Sequence, residues 1–502
     1  MSAGTGPRNV PEAVYLDYAA TTPVDPAVAE AMGRCLAGPD GVGNASSVTH
    51  FFGRRAAERI ERSRAQVAQL IGACPEEIVF TSGATESNNM AVLGAARANA
   101  YRGRHVVSSR IEHKAVLDPL KRLEKEGFAV TLLSPDRSGR IDPDAVAAAL
   151  RPDTVLVSIM LVNNEIGVIQ DVAAIGALCR ARGVLFHSDA AQAAGKIAVD
   201  VHAWPLDFAS ITAHKLYGPR GVGALYVRGE ARAHLQPIVF GGGQERGLRP
   251  GTLPTHQIVG FGVACDLARR RLTAEAAELA GLRERLWRGL ATLEGVHANG
   301  EGAACVPGIL NVSFAGVEGE SLVAGLPGLA VSTGSACNSA SAEPSYVLRA
   351  LGRDMQLAQS SLRLSLGRFT LPQHIEFAVE AIRREVGRLR ALSPASEPAT
   401  RGGEDAVGEA GGPGQEVWVR FRLHVRDGIV KRALFKAYGC PHTLAVAAWV
   451  AERLRGRGRA DLAPGTPAEW AETLSVPVEK LGRLLVVEDA LADCARHWPG
   501  QG

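Results

Sequence analysis

The sequence predicts an α/β protein with a mostly parallel sheet covered by helices on both faces, followed by a small α+β module. Short apolar segments with β-branched or aromatic residues recur along the first 392 residues, at 77–80, 105–108, 155–160 and 184–187. Amphipathic segments such as 56–71 and 171–182 lie between them, and this alternation favours parallel strands joined by helices. The composition changes abruptly after residue 392, which indicates a domain boundary.

Length and composition limit the classes of function. The 502 residues correspond to about three units of ~100–200 residues. The chain has 55 Lys and Arg residues and 52 Asp and Glu residues, so it lacks the excess of basic residues that is typical of nucleic-acid-binding proteins. No segment approaches the ~20 apolar residues of a membrane helix, and the N-terminus lacks a signal-peptide pattern. We therefore expect a cytoplasmic protein without membrane or direct nucleic-acid contact.

The segment that follows the first domain, residues 393–416, contains mainly Pro, Gly, Ser, Ala and acidic residues, so we predict a flexible linker. The module that we predict over 417–498 opens with alternating apolar and polar residues at 417–425. Asp427-Gly428 is a hairpin turn signal, and 429–435 can form the return strand. Helices are predicted around 442–456, 467–474 and 477–494.

A lysine in an unusual context suggests cofactor chemistry. A single Lys is most often a solvated surface residue, but Lys215 follows an apolar strand and lies among hydroxyl, imidazole and glycine groups. An amine that attacks a carbonyl needs such a position near an anion site, and Thr212 and His214 could bind a phosphate. Asp189 ends another apolar strand, where it is either a helix cap or an acid that protonates a pyridine nitrogen, and Gln192 follows it.

The segment 81–89, Thr-Ser-Gly-Ala-Thr-Glu-Ser-Asn-Asn, also follows an apolar strand. Its glycine and hydroxyl groups open a helix, which is a favourable position for an anion. Either a phosphate site or an ordinary capping box fits this segment alone.

Together these segments resemble the pyridoxal-phosphate-dependent cysteine desulfurases of the iron–sulfur assembly class. The similarity runs from 15–23 (Tyr-Leu-Asp-Tyr-Ala-Ala-Thr-Thr-Pro) to 366–370 (Leu-Gly-Arg-Phe-Thr) and includes 111–116, 162–167 and 241–247. The resemblance implies a fold-type-I transferase with a large and a small subdomain over residues 1–392. It also implies L-cysteine as the substrate, a homodimer, and iron–sulfur scaffold or other sulfur-acceptor proteins as partners.

The resemblance assigns roles residue by residue. Lys215 would bind the cofactor aldehyde and move the substrate α-proton, and His113 would stack on the pyridine ring and assist proton transfer. Asn164 would lie beside the phenolic oxygen and the substrate carboxylate, and Thr252 would reach the phosphate in the other subunit. The full set of implied cofactor contacts is Ala84, Thr85, His113, Asn164, Asp189, Gln192, Thr212, His214, Lys215 and Thr252.

Cys337 is the candidate nucleophile. The eight cysteines form no CxxC pair. Cys337 lies at the centre of a segment of small residues, 331–341, which we expect to be a mobile loop with an exposed thiol. A buried structural cysteine is the alternative. The segment resembles the family's nucleophile loop, and in a transfer complex Cys337 would also be a candidate metal ligand through a shared cluster. Downstream, Arg363 is either a surface residue or, as the motif implies, the clamp for the substrate carboxylate.

The C-terminal module resembles the IscU-like iron–sulfur scaffolds over 433–445 and 477–491. Of the family's three cysteines only Cys440 is present, since Pro413-Gly-Gln415 and Gly482-Arg483 stand near the other two positions and Cys494 is no obvious substitute. A cluster needs about four ligands, and Cys440 with His442 cannot supply them, so we predict no stable cluster here. Cys440 is then either an acceptor of persulfide sulfur or a buried residue of a docking or regulatory domain.

Two other functions compete with the desulfurase. One is another fold-type-I enzyme, such as a selenocysteine lyase or a small-amino-acid aminotransferase, although an aminotransferase needs no thiol such as Cys337. The other is a non-catalytic sulfur-carrier or assembly protein, against which the presence of Lys215, Asp189, His113 and Cys337 argues.

Overall fold

The computed structural model of the chain describes residues 13–37, 41–333, 344–393 and 405–499. In chain order its strands are β1 (Val14–Tyr15), β2 (Ile78–Thr81), β3 (His105–Ser109), β4 (Ala129–Leu133), β5 (Thr154–Ser158), β6 (Leu185–Asp189), β7 (Phe208–Thr212), β8 (Gly223–Val227), β9 (Val296–Asn299), β10 (Ile309–Phe314), β11 (Leu329–Ala330), β12 (Ser332–Thr333), β13 (Ser361–Ser365), β14 (Asp405–Gly412), β15 (Val417–Arg426) and β16 (Ile429–Tyr438).

The helices are α1 (Pro26–Leu36), α2 (Phe51–Ile71), α3 (Ala84–Asn89), α4 (Ala95–Ala98), α5 (Lys114–Lys125), α6 (Pro143–Ala149), α7 (Val172–Ala181), α8 (Thr255–Ala291), α9 (Gly319–Ala324), α10 (Tyr346–Ala350), α11 (Met355–Gln359), α12 (Pro372–Leu392), α13 (Pro441–Arg453), α14 (Pro467–Thr473) and α15 (Leu481–Arg496). A π-helical turn, Met90–Gly94, joins α3 to α4.

The large subdomain is built on a seven-stranded sheet in the order β2-β8-β7-β6-β5-β3-β4. Only β8 is antiparallel to its neighbours, so the other six strands share one direction. The predicted α/β class with a mostly parallel sheet is confirmed. Six strands (β2, β3, β5, β6, β7 and β8) are buried along their whole length, which explains why the sequence shows them as short apolar runs.

Helix α2 begins five residues earlier than its apolar periodicity predicts. The side chain of His50 caps the helix by accepting a hydrogen bond from the backbone N–H of Gly53. The first residues, Phe51 and Phe52, are exposed, so they add nothing to the buried face from which the prediction was made. The helix ends at Gly72, whose φ of 71° is readily adopted by glycine.

The small subdomain follows the 37-residue helix α8, which leads out of the large one. It contains the antiparallel sheet β12-β13-β10-β9, covered by α12. Its core is a cluster of buried aliphatic and aromatic side chains that includes Leu310, Val312, Phe314, Leu362 and Leu364. Arg363 alternates with these residues on β13 and therefore faces the opposite side.

The C-terminal module has the predicted hairpin, because β15 and β16 pair around Asp427 and Gly428. These two residues have φ angles of 56° and 72°, as a two-residue hairpin turn requires. The three predicted helices are also present as α13, α14 and α15, although the last begins four residues later, after a short 3₁₀ turn at Val478–Lys480.

The predicted linker over 393–416 is wrong in its second half, whereas residues 394–404 lie outside the described residues. Residues 405–412 form β14, which pairs with β15 from Asp405 to Gly412 and packs on α15. The glycines that suggested flexibility permit this packing, since a Cβ on Gly408 would lie 2.1 Å from the backbone nitrogen of Cys494. Close approach of strand to helix, rather than disorder, accounts for the composition here.

The module docks on the small subdomain. Ser321 of α9 donates a hydrogen bond of 2.7 Å to the carbonyl oxygen of Gly439. The Lys480 ammonium forms an ion pair with Glu320, at 2.9 Å. The side chain of Leu444 packs against the core of the small subdomain as well as that of the module. Among the described residues, no helix has the length and apolar character to cross a membrane.

A buried ion pair connects α2 to the glycine-rich segment at 241–247. The guanidinium of Arg64 forms two hydrogen bonds with the Glu245 carboxylate, of 2.7 and 2.8 Å. It also lies 4.6 Å from the centre of the Phe80 ring, and the Phe80 backbone N–H donates to the same carboxylate. The two side chains are only 6% and 3% exposed, so each charge depends on the other.

Replacing Arg64 with Met is therefore expected to destabilise the fold by about 3–5 kcal/mol, because the Glu245 carboxylate remains buried without its partner. The matched control is Arg34→Ala, which breaks an ion pair whose side chains are both 69% exposed and which we expect to be nearly silent. Calorimetric unfolding of both variants is the measurement. Equal melting temperatures would contradict the energetic role of the buried pair.

Candidate active site

A cleft of about 740 Å³ opens at the carboxyl ends of the parallel strands. Its wall includes segments from both subdomains, since Ser332 and Arg363 of the small sheet face residues that follow β2, β6 and β7. The predicted site residues that line it are Ala84, Thr85, His113, Asn164, Asp189, Gln192, Thr212, His214, Lys215 and Arg363.

Two predicted residues, Thr252 and Cys440, are not part of this wall. Thr252 is exposed and outside the cleft of its own chain. Cys440 is fully buried in the C-terminal module. Cys337 lies outside the described residues, but Ser332, five residues before it, lines the cleft.

Lys215 ends the 3₁₀ turn that follows β7. Its amine donates hydrogen bonds to the carbonyl oxygens of Ala19 and Ala20, the latter at 2.6 Å. These carbonyls belong to the segment after β1, which is itself held by a hydrogen bond from the Thr22 backbone N–H to the carbonyl of His214. The amine is thus held at the cleft wall by neutral acceptors.

Asp189 is held as a hydrogen-bond acceptor. One carboxylate oxygen accepts from the backbone N–H of Ala191 at 2.9 Å, and the other accepts from the side-chain amide of Asn88 at 2.7 Å. Asn88 is fully buried in α3, and its own amide oxygen has no hydrogen-bond partner among the described residues. These two hydrogen bonds fix the direction of the Asp189 carboxylate.

His113 caps α5, since its Nδ1 accepts a hydrogen bond of 3.1 Å from the backbone N–H of Ala115. In the neutral imidazole the proton is therefore assigned to Nε2. Burial lowers the pKa of His113, and the nearby Lys215 charge lowers it further, while Asp189 acts in the opposite direction. The ring is neutral at pH 7 and has Nε2 available for proton transfer.

The helix N-terminus after β2 provides an anion cradle. Gly83, with φ at 150°, precedes Ala84, and a Cβ on Gly83 would lie 3.6 Å from the hydroxyl oxygen of Thr212. The helical path continues from α3 through the π turn to Ala98. His214 lies beside it with its Nδ1 3.2 Å from the Thr21 hydroxyl, and burial lowers its pKa to about 4.

A carboxylate at the rim of this cradle is neutralised. Glu86 is paired with Arg249 at 2.8 Å and accepts from the backbone N–H of Ser82. Although burial opposes it, these hydrogen bonds lower the pKa of Glu86. The ion pair therefore removes the repulsion that a free carboxylate would exert on a phosphate.

On the opposite wall, Arg363 donates to the carbonyl oxygen of Asn164 and to the Asp17 carboxylate, both at 2.9 Å. Two buried polar atoms of this wall, Nε of Arg363 and Oδ1 of Asn164, have no hydrogen-bond partner among the described residues. Unsatisfied buried polar groups are rare in folded proteins, so their presence here fits a polar ligand that completes the site.

Asn88 and Asp17 line the cleft and Lys196 lies beside it, but none of the three was predicted from the sequence. Lys196 donates to Oε1 of Gln192, whose Nε2 in turn donates to the carbonyl of Ala19 at 2.8 Å. Burial, together with the Lys215 and Arg363 charges, lowers the pKa of Lys196 to about 7. The spacing of four residues between Gln192 and Lys196 was the sequence signal that could have indicated a contact between them. No comparable signal marked the long-range partners Asn88 and Asp17.

The comparisons with known proteins agree with this geometry. The aminotransferase class-V family model matches residues 14–377. The cysteine desulfurase IscS of Pectobacterium atrosepticum is 55% identical over 389 residues, which is 78% of this chain and 96% of that protein. A solved NifS-like protein has a TM-score of 0.69 and 35% identity over 75% of this chain and all of the other. DndA from Streptomyces lividans has a TM-score of 0.60 and 43% identity, covering 70% of this chain and 99% of that one.

These matches cover the cleft and both subdomains that form it. The chain therefore belongs to the class-V aminotransferase family and, within it, to the cysteine desulfurases.

Proposed function

We propose that this protein is a pyridoxal-phosphate-dependent cysteine desulfurase that converts L-cysteine to L-alanine and retains the sulfur as a persulfide on Cys337. The sulfur then serves iron–sulfur cluster or other thio-cofactor assembly through acceptor proteins. The observation that carries the proposal is that the Lys215 amine, the Asp189 carboxylate and the Arg363 guanidinium line one cleft. The strand that leads to Cys337 forms part of the same wall.

The residues present fit pyridoxal phosphate. The anion cradle suits the phosphate, Asp189 suits the ring nitrogen, and the unpaired Oδ1 of Asn164 marks an unsatisfied polar position in the wall. When bound, this cofactor supplies an electron sink that stabilises negative charge at the substrate α-carbon. The residues that would hold it are Ala84, Thr85, His113, Asn164, Asp189, Gln192, Thr212, His214 and Lys215.

The protein groups account for the remaining steps. Arg363 binds the carboxylate of L-cysteine, and the Lys215 amine accepts the α-proton. The Cys337 thiolate attacks the substrate sulfur, so that an S–S bond forms while the Cβ–S bond breaks and its electron pair remains with Cβ. Proton delivery from Nε2 of His113 or from Lys215 completes L-alanine. The sum is L-cysteine plus enzyme thiol giving L-alanine plus enzyme persulfide, which balances.

Two substitutions test these roles. We expect Lys215→Ala to lower L-alanine release at least ~100-fold, because the proton acceptor is lost, and Cys337→Ala to abolish persulfide and suppress alanine release. The control is Lys121→Ala, since Lys121 is exposed and forms an exposed ion pair with Asp118. Alanine formation from L-cysteine and mass spectrometry of the protein are the measurements. Alanine release by Cys337→Ala at the parent rate would exclude Cys337 as the nucleophile.

We further propose that the enzyme works as a homodimer in which Thr252 completes the partner's phosphate site. Thr252 is exposed and lies outside its own cleft. Thr252 follows a segment with two exposed apolar residues, Val239 (51% exposed) and Phe240 (83% exposed). A third apolar residue, Phe51 at the start of α2, is 57% exposed. Exposed apolar side chains of this kind are typical of subunit interfaces.

Light scattering is expected to give about twice the chain mass of 52.8 kDa. Phe240→Asp should shift the protein towards monomer and reduce cofactor retention, because a charge would be buried at the interface and Thr252 would no longer reach the other site. Tyr101→Asp, at a residue that is 79% exposed, is the control and should leave the mass unchanged. A Phe240→Asp protein with unaltered mass would show that this surface is not the interface.

For the C-terminal part we propose an IscU-like module over 405–498 in which Cys440 accepts sulfur from Cys337. Cys440 caps α13, its sulfur lies 3.5 Å from the Thr443 hydroxyl, and it is fully buried. Although burial opposes it, contact with the Cys440 sulfur raises the pKa of Arg483, so this guanidinium lies beside the sulfur. Helix α9 packs against both α13 and β12.

Because the thiol is covered in the docked state, transfer requires α13 to separate from α9. Sulfur should therefore appear first on Cys337 and later on Cys440 during turnover. Time-resolved mass spectrometry of trapped persulfides measures this order, and Lys480→Ala, which removes the ion pair to Glu320, should shorten the delay. Cys35→Ser is the control for cysteine chemistry elsewhere on the molecule, and it should leave the order of sulfur transfer unchanged. Absence of sulfur on Cys440 at every time would leave the module as a docking or regulatory domain only.

A further inference from the structure

A group of metal-ligating side chains lies at the edge of the large sheet opposite the cleft. Cys74 and Glu77 precede β2, and His202 lies in the connection between β6 and β7. The Cys74 sulfur, a Glu77 carboxylate oxygen and a His202 ring nitrogen all lie within 4.8 Å of one another. Because the cleft opens at the carboxyl ends of these strands, this group is separated from it by the length of the sheet.

The carboxylate of the group is fixed in place. Oε2 of Glu77 accepts from the Cys74 backbone N–H at 2.9 Å and contacts Nε2 of His202 at 3.0 Å. Oε1 accepts from the backbone N–H of Gly229 at 3.2 Å. The Glu77 side chain is 10% exposed, while Cys74 is exposed and the His202 side chain is 49% exposed. A rigid buried oxygen is therefore flanked by two ligands that solvent ions can reach.

A second observation points to a missing ligand at this position. The hydroxyl of Tyr226 is buried and has no hydrogen-bond partner among the described residues. Tyr226 pairs in register with Ile78, the residue after Glu77, and its ring lies 6.4 Å from the His202 ring. The unsatisfied hydroxyl and the three donors thus belong to the same small region.

We propose that Cys74, Glu77 and His202 bind a divalent ion of the zinc class. Thiolate, imidazole and carboxylate are the three ligand types that Zn²⁺ takes in proteins. A thiolate and a carboxylate with a neutral imidazole supply two negative charges, which match the ion. The ion takes the place of the proton between His202 and Glu77, and Cys74 releases its thiol proton to solvent on binding. Water fills the fourth position, where Tyr226 can reach it.

The ion would connect the end of α2 to the 200–204 turn that precedes β7. Glu77 already contacts both segments, through the backbone N–H of Cys74 and the ring of His202. Metal binding would therefore stabilise the folded large subdomain without contributing to the reaction. This inference is independent of the proposed function, because none of these residues lines the cleft.

The test titrates the full-length holoenzyme with Co²⁺ and Zn²⁺. We expect one tight Co²⁺ per chain with a thiolate-to-cobalt charge-transfer absorption, and a Zn²⁺-dependent rise in melting temperature. Cys74→Ser and His202→Ala should each weaken binding by more than about tenfold, a loss that even outer-shell changes can cause. Both side chains are exposed, so folding and desulfurase turnover should be retained.

Cys35→Ser and His297→Ala are the matched controls, because each removes the same type of ligand elsewhere on the molecule. The Cys337 thiol is present in all four variants, so a signal from it would cancel in the differences. Absence of a tight site in the parent would overturn the proposal. Binding that survives either Cys74→Ser or His202→Ala, or that is lost equally in the controls, would overturn it as well.

Discussion

The common direction of six strands in the large sheet is the constraint on which the active site depends. Because β2, β6 and β7 run the same way, the anion cradle, Asp189 and the Lys215 turn all emerge at one edge. Right-handed helical connections cover both faces of such a sheet, so the carboxyl edge is where the chain leaves an opening. The small subdomain then closes that opening with Ser332 and Arg363. Sheet topology thus places groups that are far apart in sequence around one volume.

Within the cleft, the cations are held by protein acceptors that leave room for an anionic ligand. The Lys215 amine rests on two carbonyls, Arg363 on Asp17 and a carbonyl, and Lys196 on the Gln192 amide. The wall also carries the carboxylates of Asp17, Glu86 and Asp189, so the formal charges of Lys215, Arg220 and Arg363 are matched within the cleft. Burial is the main cause of the low pKa of Lys196, which lies beside this wall, and the Lys215 and Arg363 charges lower it further.

Local patterns were sufficient to predict much of the fold and the site. Buried strands are continuous apolar runs, and Asp427-Gly428 favours a hairpin through backbone geometry alone, so both could be recognised from short windows. Asn88 could not, because its role depends on a hydrogen bond to Asp189, which is 101 residues away. Strand β14 was missed for a related reason. Gly408 has a low strand preference, and only its contact with α15 explains its presence.

The segment that was predicted as the second half of a linker belongs instead to the folded module. Residues 405–416 are part of the module, so residues 393–404 connect it to α12. The module is also held on the small subdomain by the Ser321 and Lys480 contacts and by Leu444. Helix α13, which begins after Cys440, packs on α9, and α9 also packs on β12. Further hydrogen bonds join Gln356 to Tyr438 and Gln359 to Glu416, and the Ser321–Gly439 hydrogen bond is buried. The lysine of the Lys480–Glu320 ion pair is only 18% exposed. If Cys440 accepts sulfur as proposed, several of these contacts must break first.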